Sequence, residues 1–368
     1  MRTLYIAVTN HGFGHATRAA SIAAEIRRLC EAKGVEIRLI LATKVPKWLL
    51  DSYLKGNYIH RPVSFDVGVL QSDSLTMDKP ATLAAMQRIR EDEDDLIKAE
   101  VAYMKEVGVD LVLADIPPLI AKIAHHTGVP CWMMGNFGWD FIYHPWGRDN
   151  PEFGALVEWI QQCSRYAHKT FRMPFHADMD SMPNVTDVGL TGGVPAYSEE
   201  HLRELMQSDV PSDRTVLLTF GGLGLSNIPY DALTQFPNWQ FVTFDKDAPK
   251  LPNLYRVNDQ SMRPVDWMIV CDRVFSKPGY STFAEACLLD KGVITITREG
   301  FAEADILING IQDYAPHKIV KAQTFFSGDW SFLTDELSPP RKKETLDKGG
   351  KEAIATAVVD QLTAQKMM

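Results

Sequence analysis

The chain has 368 residues, a length that accommodates two ordinary domains. Hydrophobic residues make up 45% and charged residues 23%, the balance of a globular protein with real cores, and a net charge of -9 argues against a nucleic-acid binder with a basic surface. The five cysteines are scattered and never form a C-x-x-C pair, which favours free thiols in a reducing compartment over a disulfide frame or a zinc site.

The amino terminus MRTLYIAVTN lacks a long apolar core with a small-residue cleavage site, and no stretch approaches about 18 consecutive apolar residues. A cytoplasmic protein without a transmembrane segment is expected. Residues 4–8 are a compact apolar run that reads as a buried parallel strand. A glycine-containing loop, TNHGFGHATR, follows, and then Ala19, Ile22, Ala23, Ile26 and Leu29 recur at helical spacing over residues 16–32. A strand at 37–42, a helix at 45–54, one long helix at 81–107, a strand at 111–114, a helix at 119–127 and a strand at 129–134 complete a first alternation. Such alternation predicts a parallel sheet covered on both faces. The pattern restarts with a strand at 215–220, followed at once by Gly221, Gly222 and Gly224. Further strands are expected at 240–244, 273–275 and 293–297, with helices at 264–271, 282–289 and 302–314. Residues 184–198, rich in turn formers, read as the linker between two domains, 1–190 and 199–345. The tail 346–368 holds Ile354, Val358 and Leu362 at helical spacing and should pack back on the body.

A strand that runs through a glycine turn into a helix gathers unpaired backbone N–H groups and the positive helix end, a site for anions. Neither glycine loop is G-x-G-x-x-G or a Walker motif, so dinucleotide binding and P-loop phosphoryl transfer are disfavoured. The stretch VFSKPGYSTFAEA packs a strand end, a Pro-Gly turn and two hydroxyls ahead of Glu285. Ser281 and Thr282 either cap a helix or, with Ser276, Lys277, Gly279 and Tyr280, hold a diphosphate. An acceptor-only carboxylate at Glu285 suits a ribose diol. Arg298, Glu303 and Asp305 follow the next strand and are expected to face the same crevice, unless the acids only complement the helix dipole.

These residues resemble a known family. HGFGHATR, LQSDSLTMD, ADIPP, NFGWDFIY, FGG and SKPGYSTFAEA are similar to a glycosyltransferase of the MurG type, and more closely to the glycosyltransferase-like amino-terminal region of plant L-arabinokinases. The resemblance implies an α/β protein of GT-B architecture, two Rossmann-like parallel-sheet domains facing across a cleft. It places a nucleotide-sugar donor, by resemblance a UDP-sugar, on the second domain and an acceptor on the first. Gly221 and Gly222 join the donor set, and His11, Gly12, Gly14, Asn136 and Trp139 the acceptor side. The sequence has no P-x-x-x-G-[LM]-x-[ST]-[ST] phosphate loop after Gly221, so sugar-kinase activity is not implied.

Transfer then needs a base for the acceptor hydroxyl. His15, at a helix amino terminus where the dipole disfavours imidazolium, is the leading candidate, although it could instead cap the helix. Asp115 could orient it, and Asp140 is the rival carboxylate. No D-x-D sits at a convincing strand end, so neither a metal nor another cofactor is expected. Phe137, Trp139, Phe141, Tyr143 and Trp146 form either core or an acceptor platform, and Trp48, Leu49, Leu50, Tyr53 and Leu54 either core or a lipid-facing patch. The expected function is inverting transfer from a nucleotide-diphosphate sugar to a small-molecule, lipid or glycan hydroxyl. A nucleotide-sugar epimerase and a non-catalytic nucleotide-sugar sensor are the competing classes, because fold alone does not decide among them.

Overall fold

The computed structural model describes residues 1–72, 75–222 and 224–364. Parts of the LQSDSLTMD segment, the second glycine loop and the carboxy-terminal tail lie outside the described residues. The chain divides into two compact units. The first comprises the described residues of Met1–Gln71, Met77–Thr191 and Asp347–Met368, and the second those of Ser72–Thr76 and Gly192–Leu346.

The first unit is built on seven strands: β1 (Arg2–Val8), β2 (Ile37–Ala42), β3 (Ile59–Arg61), β4 (Leu111–Asp115), β5 (Cys131–Gly135), β6 (Lys169–Arg172) and β7 (Val185–Asp187). They lie in the order β3-β2-β1-β4-β5-β6-β7, and every pairing is parallel. Leu4 to Val8 and Leu111 to Ala114 are buried. Such continuous apolar runs are required of strands covered on both faces. Strand order reverses between β1 and β4, where Val8 pairs with Asp115. Loops leaving the carboxyl ends of two such strands diverge and open a crevice.

The second unit repeats the plan with β8 (Thr215–Thr219), β9 (Gln240–Thr243), β10 (Leu254–Arg256), β11 (Arg273–Ser276), β12 (Gly292–Ile296) and β13 (His317–Val320). Their order is β10-β9-β8-β11-β12-β13, again all parallel. Its reversal falls between β8 and β11, with Thr219 opposite Ser276. One face buries Val216, Leu218, Phe275 and Ile294 against Phe325, Trp330 and Leu333.

Two expected elements take a different form. The long helix at 81–107 is two helices, Lys79–Glu91 and Glu93–Val107, meeting at Asp92. Glu93, Asp94 and Asp95 occupy the first turn of the second helix, where carboxylates are stabilised by the dipole, so the acidic run marks a helix start. The helix expected at 282–289 begins at Tyr280, with Gly279 at its cap and no side-chain cap bond. Ser281 and Thr282 are therefore inside the first turn, not caps.

The tail helix Gly350–Ala364 packs along the helix Gly14–Ala32, with Lys33 Nζ 2.8 Å from Asp360 Oδ1. Close backbone approach fixes its start: a Cβ on Gly350 would sit 1.9 Å from the Gly189 carbonyl oxygen.

Candidate active site

In the first unit the helix Gly14–Ala32 starts two residues before the expected position, which puts His15 in its first turn. The ring caps nothing. His15 Nδ1 lies 2.8 Å from Asp115 Oδ1 at the end of β4. Arg18, one turn further along the helix, donates from Nε to Asp115 Oδ2 at 2.7 Å and from Nη2 to Oδ1 at 2.6 Å. Asn136, after β5, accepts from Arg18 Nη1 at 3.4 Å. Burial alone would raise the Asp115 carboxyl, but the Arg18 charge and the His15 ring hold it below the usual carboxylate range. Nδ1 stands between the Asp115 acceptor and the Arg18 Nη2 donor at 3.0 Å; with its proton directed to Asp115, Nε2 is the ring's acceptor.

The residue after Asp115 has an unusual backbone. Ile116 has φ 57, a left-handed backbone that a β-branched residue rarely adopts. Strain of this kind persists only where surrounding structure over-determines it, and it concentrates at functional sites.

A second buried carboxylate, Asp66, borders the same loop. It accepts from Thr9 Oγ1 at 2.6 Å and from the Asn10 amide at 3.0 Å. Trp139 Nε1 donates in turn to Thr9 Oγ1 at 3.0 Å. Burial pushes the Asp66 carboxyl up, against these donors and the nearby His15. The His11 ring packs edge-on to Trp139 at 5.1 Å, with His15 6.1 Å away. Gly68 permits this packing, because a Cβ there would lie 2.4 Å from His11 Cβ and 2.9 Å from Trp139 Cζ2.

His11, His15, Asp115, Asn136 and Trp139 are thus gathered at the β1/β4 reversal, with Gly12 in the loop and Gly14 opening the helix. Asp140 is not brought into this network: its Oδ2 accepts from Gln161 at 3.4 Å. Phe137, Trp139, Tyr143 and Trp146 are buried and serve as core, as do Leu49, Leu50, Tyr53 and Leu54. Trp48 stays 40% exposed, edge-on to Phe13. Arg18 and Asp66 are the residues that sequence reasoning missed. For Arg18 a signal exists, since a basic residue three positions after His15 lies on the same helical face. For Asp66 no local motif marks the position.

In the second unit Ser276 ends β11 and is buried, while Gly221 and Gly222 are exposed after β8. Lys277 follows Ser276, and its ammonium is pushed down to about 7, first by desolvation and then by the Arg298 charge, with Glu303 opposing. Arg298 lies over the Phe301 ring at 4.0 Å. Glu303 is buried and Asp305 exposed. Two residues along a helix turn through about 200°, so these acids do not share a face. Glu285 is buried, and its Oε1 accepts from the Gly193 amide at 2.9 Å.

The described residues contain no cluster of three or more potential metal ligands and no helix long and apolar enough to cross a membrane. The five cysteines are buried free thiols.

Two doubly wound parallel-sheet units define the chain as a GT-B fold. A glycosyltransferase of kitacinnamycin superposes with a TM-score of 0.58 at 14% identity, covering 98% of this chain and 93% of that one. UGT2 of Phytolacca americana, complexed with UDP-2-fluoro-glucose and pterostilbene, gives 0.59 at 12%, covering 99% and 94%. The spinosyn rhamnosyltransferase SpnG gives 0.59 at 13%, covering 99% and 96%. No family model matches the chain. Among curated proteins, L-arabinokinase of Arabidopsis thaliana is 26% identical over 336 residues, 88% of this chain. The chain spans about a third of that relative's length, 31%.

Proposed function

We propose that this chain is a glycosyltransferase that moves a sugar from a nucleotide-diphosphate sugar to an acceptor hydroxyl, with inversion and without a metal. The observation that carries the reading is the 2.8 Å contact between His15 Nδ1 and Asp115, which turns Nε2 into a proton acceptor beside a sheet reversal. Nε2 takes the hydroxyl proton as the acceptor oxygen bonds to the anomeric carbon. The carbon–oxygen bond to the diphosphate breaks, and the nucleoside diphosphate departs with that electron pair. Attack opposite the leaving group inverts the anomeric centre.

The donor role falls to the second unit. The turn from Ser276 to Gly279 and the start of the helix Tyr280–Leu288 supply N–H groups for the diphosphate, with Lys277 adding charge and Gly221 and Gly222 allowing close approach. Glu285, a buried acceptor-only carboxylate that accepts from the Gly193 amide, is assigned to the ribose. Ser281, Thr282, Glu303 and Asp305 complete the proposed donor set, and Asp140 is kept as a secondary carboxylate. The UDP-2-fluoro-glucose held by the Phytolacca enzyme supports a UDP-linked donor.

The test is a thermal-shift panel of sugar nucleotides, followed by nucleotide release with hydroxylated acceptors. A true donor at 100 times its dissociation constant adds about 2.7 kcal/mol of stability. His15→Ala should keep that shift and lose about 10²–10⁴-fold in turnover, and EDTA should change neither. No shift with any sugar nucleotide, or full turnover in His15→Ala, overturns the reading. An altered sugar nucleotide without acceptor identifies an epimerase instead.

A further inference from the structure

We propose that Arg18 is a positioning residue for His15: by gripping both oxygens of Asp115 it cancels that carboxylate's charge at the ring and opposes a second proton on the imidazole. The inference rests on the reading of His15 as the base, and goes beyond it by assigning what sets the base's protonation. The grip is bidentate, with 2.7 Å from Nε to Oδ2 and 2.6 Å from Nη2 to Oδ1. A guanidinium fork fixes the plane of a carboxylate as a point-charge ammonium does not. Both partners are buried, so little solvent screens their effect on a neighbour. His15 Nδ1 stands 2.8 Å from Asp115 Oδ1 and 3.0 Å from Arg18 Nη2.

A histidine beside one unpaired buried carboxylate would be held as imidazolium, a poor base near neutrality. With Arg18 in place the ring meets a neutral ion pair, and the carboxylate still accepts the Nδ1 proton. Two other titratable groups face the ring. His11 lies 6.1 Å away across the loop, and Asp66, on the chain beyond β3, acts on it electrostatically. Phe137 and Trp139 supply the remaining walls. The cation that opposes Asp115 directly is Arg18.

The experiment is NMR titration of the His15 ring in the full chain, assigned by loss of its signal in His15→Ala. Arg18→Met should raise its pKa by about 1–3 units, and Arg18→Lys should recover part of that shift. Asp115→Asn should lower it. Because Arg18→Met leaves a buried charge and can fail to fold, the paired variant Arg18→Met/Asp115→Asn is measured against Asp115→Asn. Its pKa should be the higher of the two. A pKa indifferent to Arg18 in both comparisons overturns the proposal, since a purely structural arginine would not move it. The titration needs neither donor nor acceptor. The expected shifts together with an active His15→Ala would sink the glycosyltransferase mechanism alone, and unmoved titrations with an inactive His15→Ala would sink only the role of Arg18.

Discussion

Two glycines with the same backbone twist separate the conformational from the packing contribution to this site. Gly12 and Gly68 both have φ +57. A Cβ on Gly12 would meet nothing within 4 Å, whereas one on Gly68 would lie 2.4 Å from His11 Cβ, 2.9 Å from His11 Cγ and 2.9 Å from Trp139 Cζ2. Gly12→Ala therefore costs only the left-handed backbone, about 1–2 kcal/mol. Gly68→Ala costs the same plus over-packing against a ring and a Cβ that cannot swing away, a further ~1–3 kcal/mol. Urea unfolding followed by tryptophan fluorescence should show both variants destabilised, Gly68→Ala more so, with unchanged dependence on denaturant. Gly68→Ala should also shift the His11 ring signals while Gly12→Ala leaves them in place. Equal costs would show that the close approach of Gly68 to His11 and Trp139 has no energetic weight.

Two pH dependences follow from the same geometry. The Asp115 carboxyl is held low in the folded chain by Arg18 and His15, so its contribution is present above the ordinary aspartate value near 3.9 and is lost as pH falls through its folded value. Asp115→Asn should cost about 3–5 kcal/mol at pH 7, and the gap to the native chain should narrow only below about pH 4; a gap that narrows already between pH 7 and 5 contradicts this. Lys277 titrates near 7 when folded, against about 10.4 when unfolded, so between those values the unfolded chain binds more protons and stability rises with pH. Lys277→Met should flatten that rise by about 1 kcal/mol per pH unit, read from urea midpoints between pH 7 and 10. Superimposable profiles would dispose of a desolvated ammonium.

The central strands were readable from residues alone because burial on both faces makes them apolar runs, as in Leu4 to Val8 and Val216 to Leu218. The outer strands were not. Ile59–Arg61, Leu254–Arg256 and Val185–Asp187 have three residues each, and the last is exposed throughout. Runs that short carry no period, and only their neighbours in the sheet make them strands. The helix Pro151–Ser164 is a different omission: Asn150 caps it, and Phe153, Leu156, Val157 and Ile160 recur at helical spacing, so a signal was present. In the first unit's site, the proximity of His15 and Asp115 could be argued from two strand ends. Asp66 could not, since it follows no strand legible in the sequence and only the fold brings it to Thr9.

The two sheet reversals carry different charge arrangements on the same topology. Beside β1 and β4 a strand end delivers a carboxylate matched by Arg18 and in contact with a histidine. Beside β8 and β11 the chain supplies a buried serine, a lysine held near half-charge and the amino end of a helix. An anion placed beside such a lysine would favour its charged form, against desolvation and the Arg298 charge. The imidazole and the ammonium each have their charged neighbours within their own unit: Asp115 and Arg18 in one, Arg298 and Glu303 in the other.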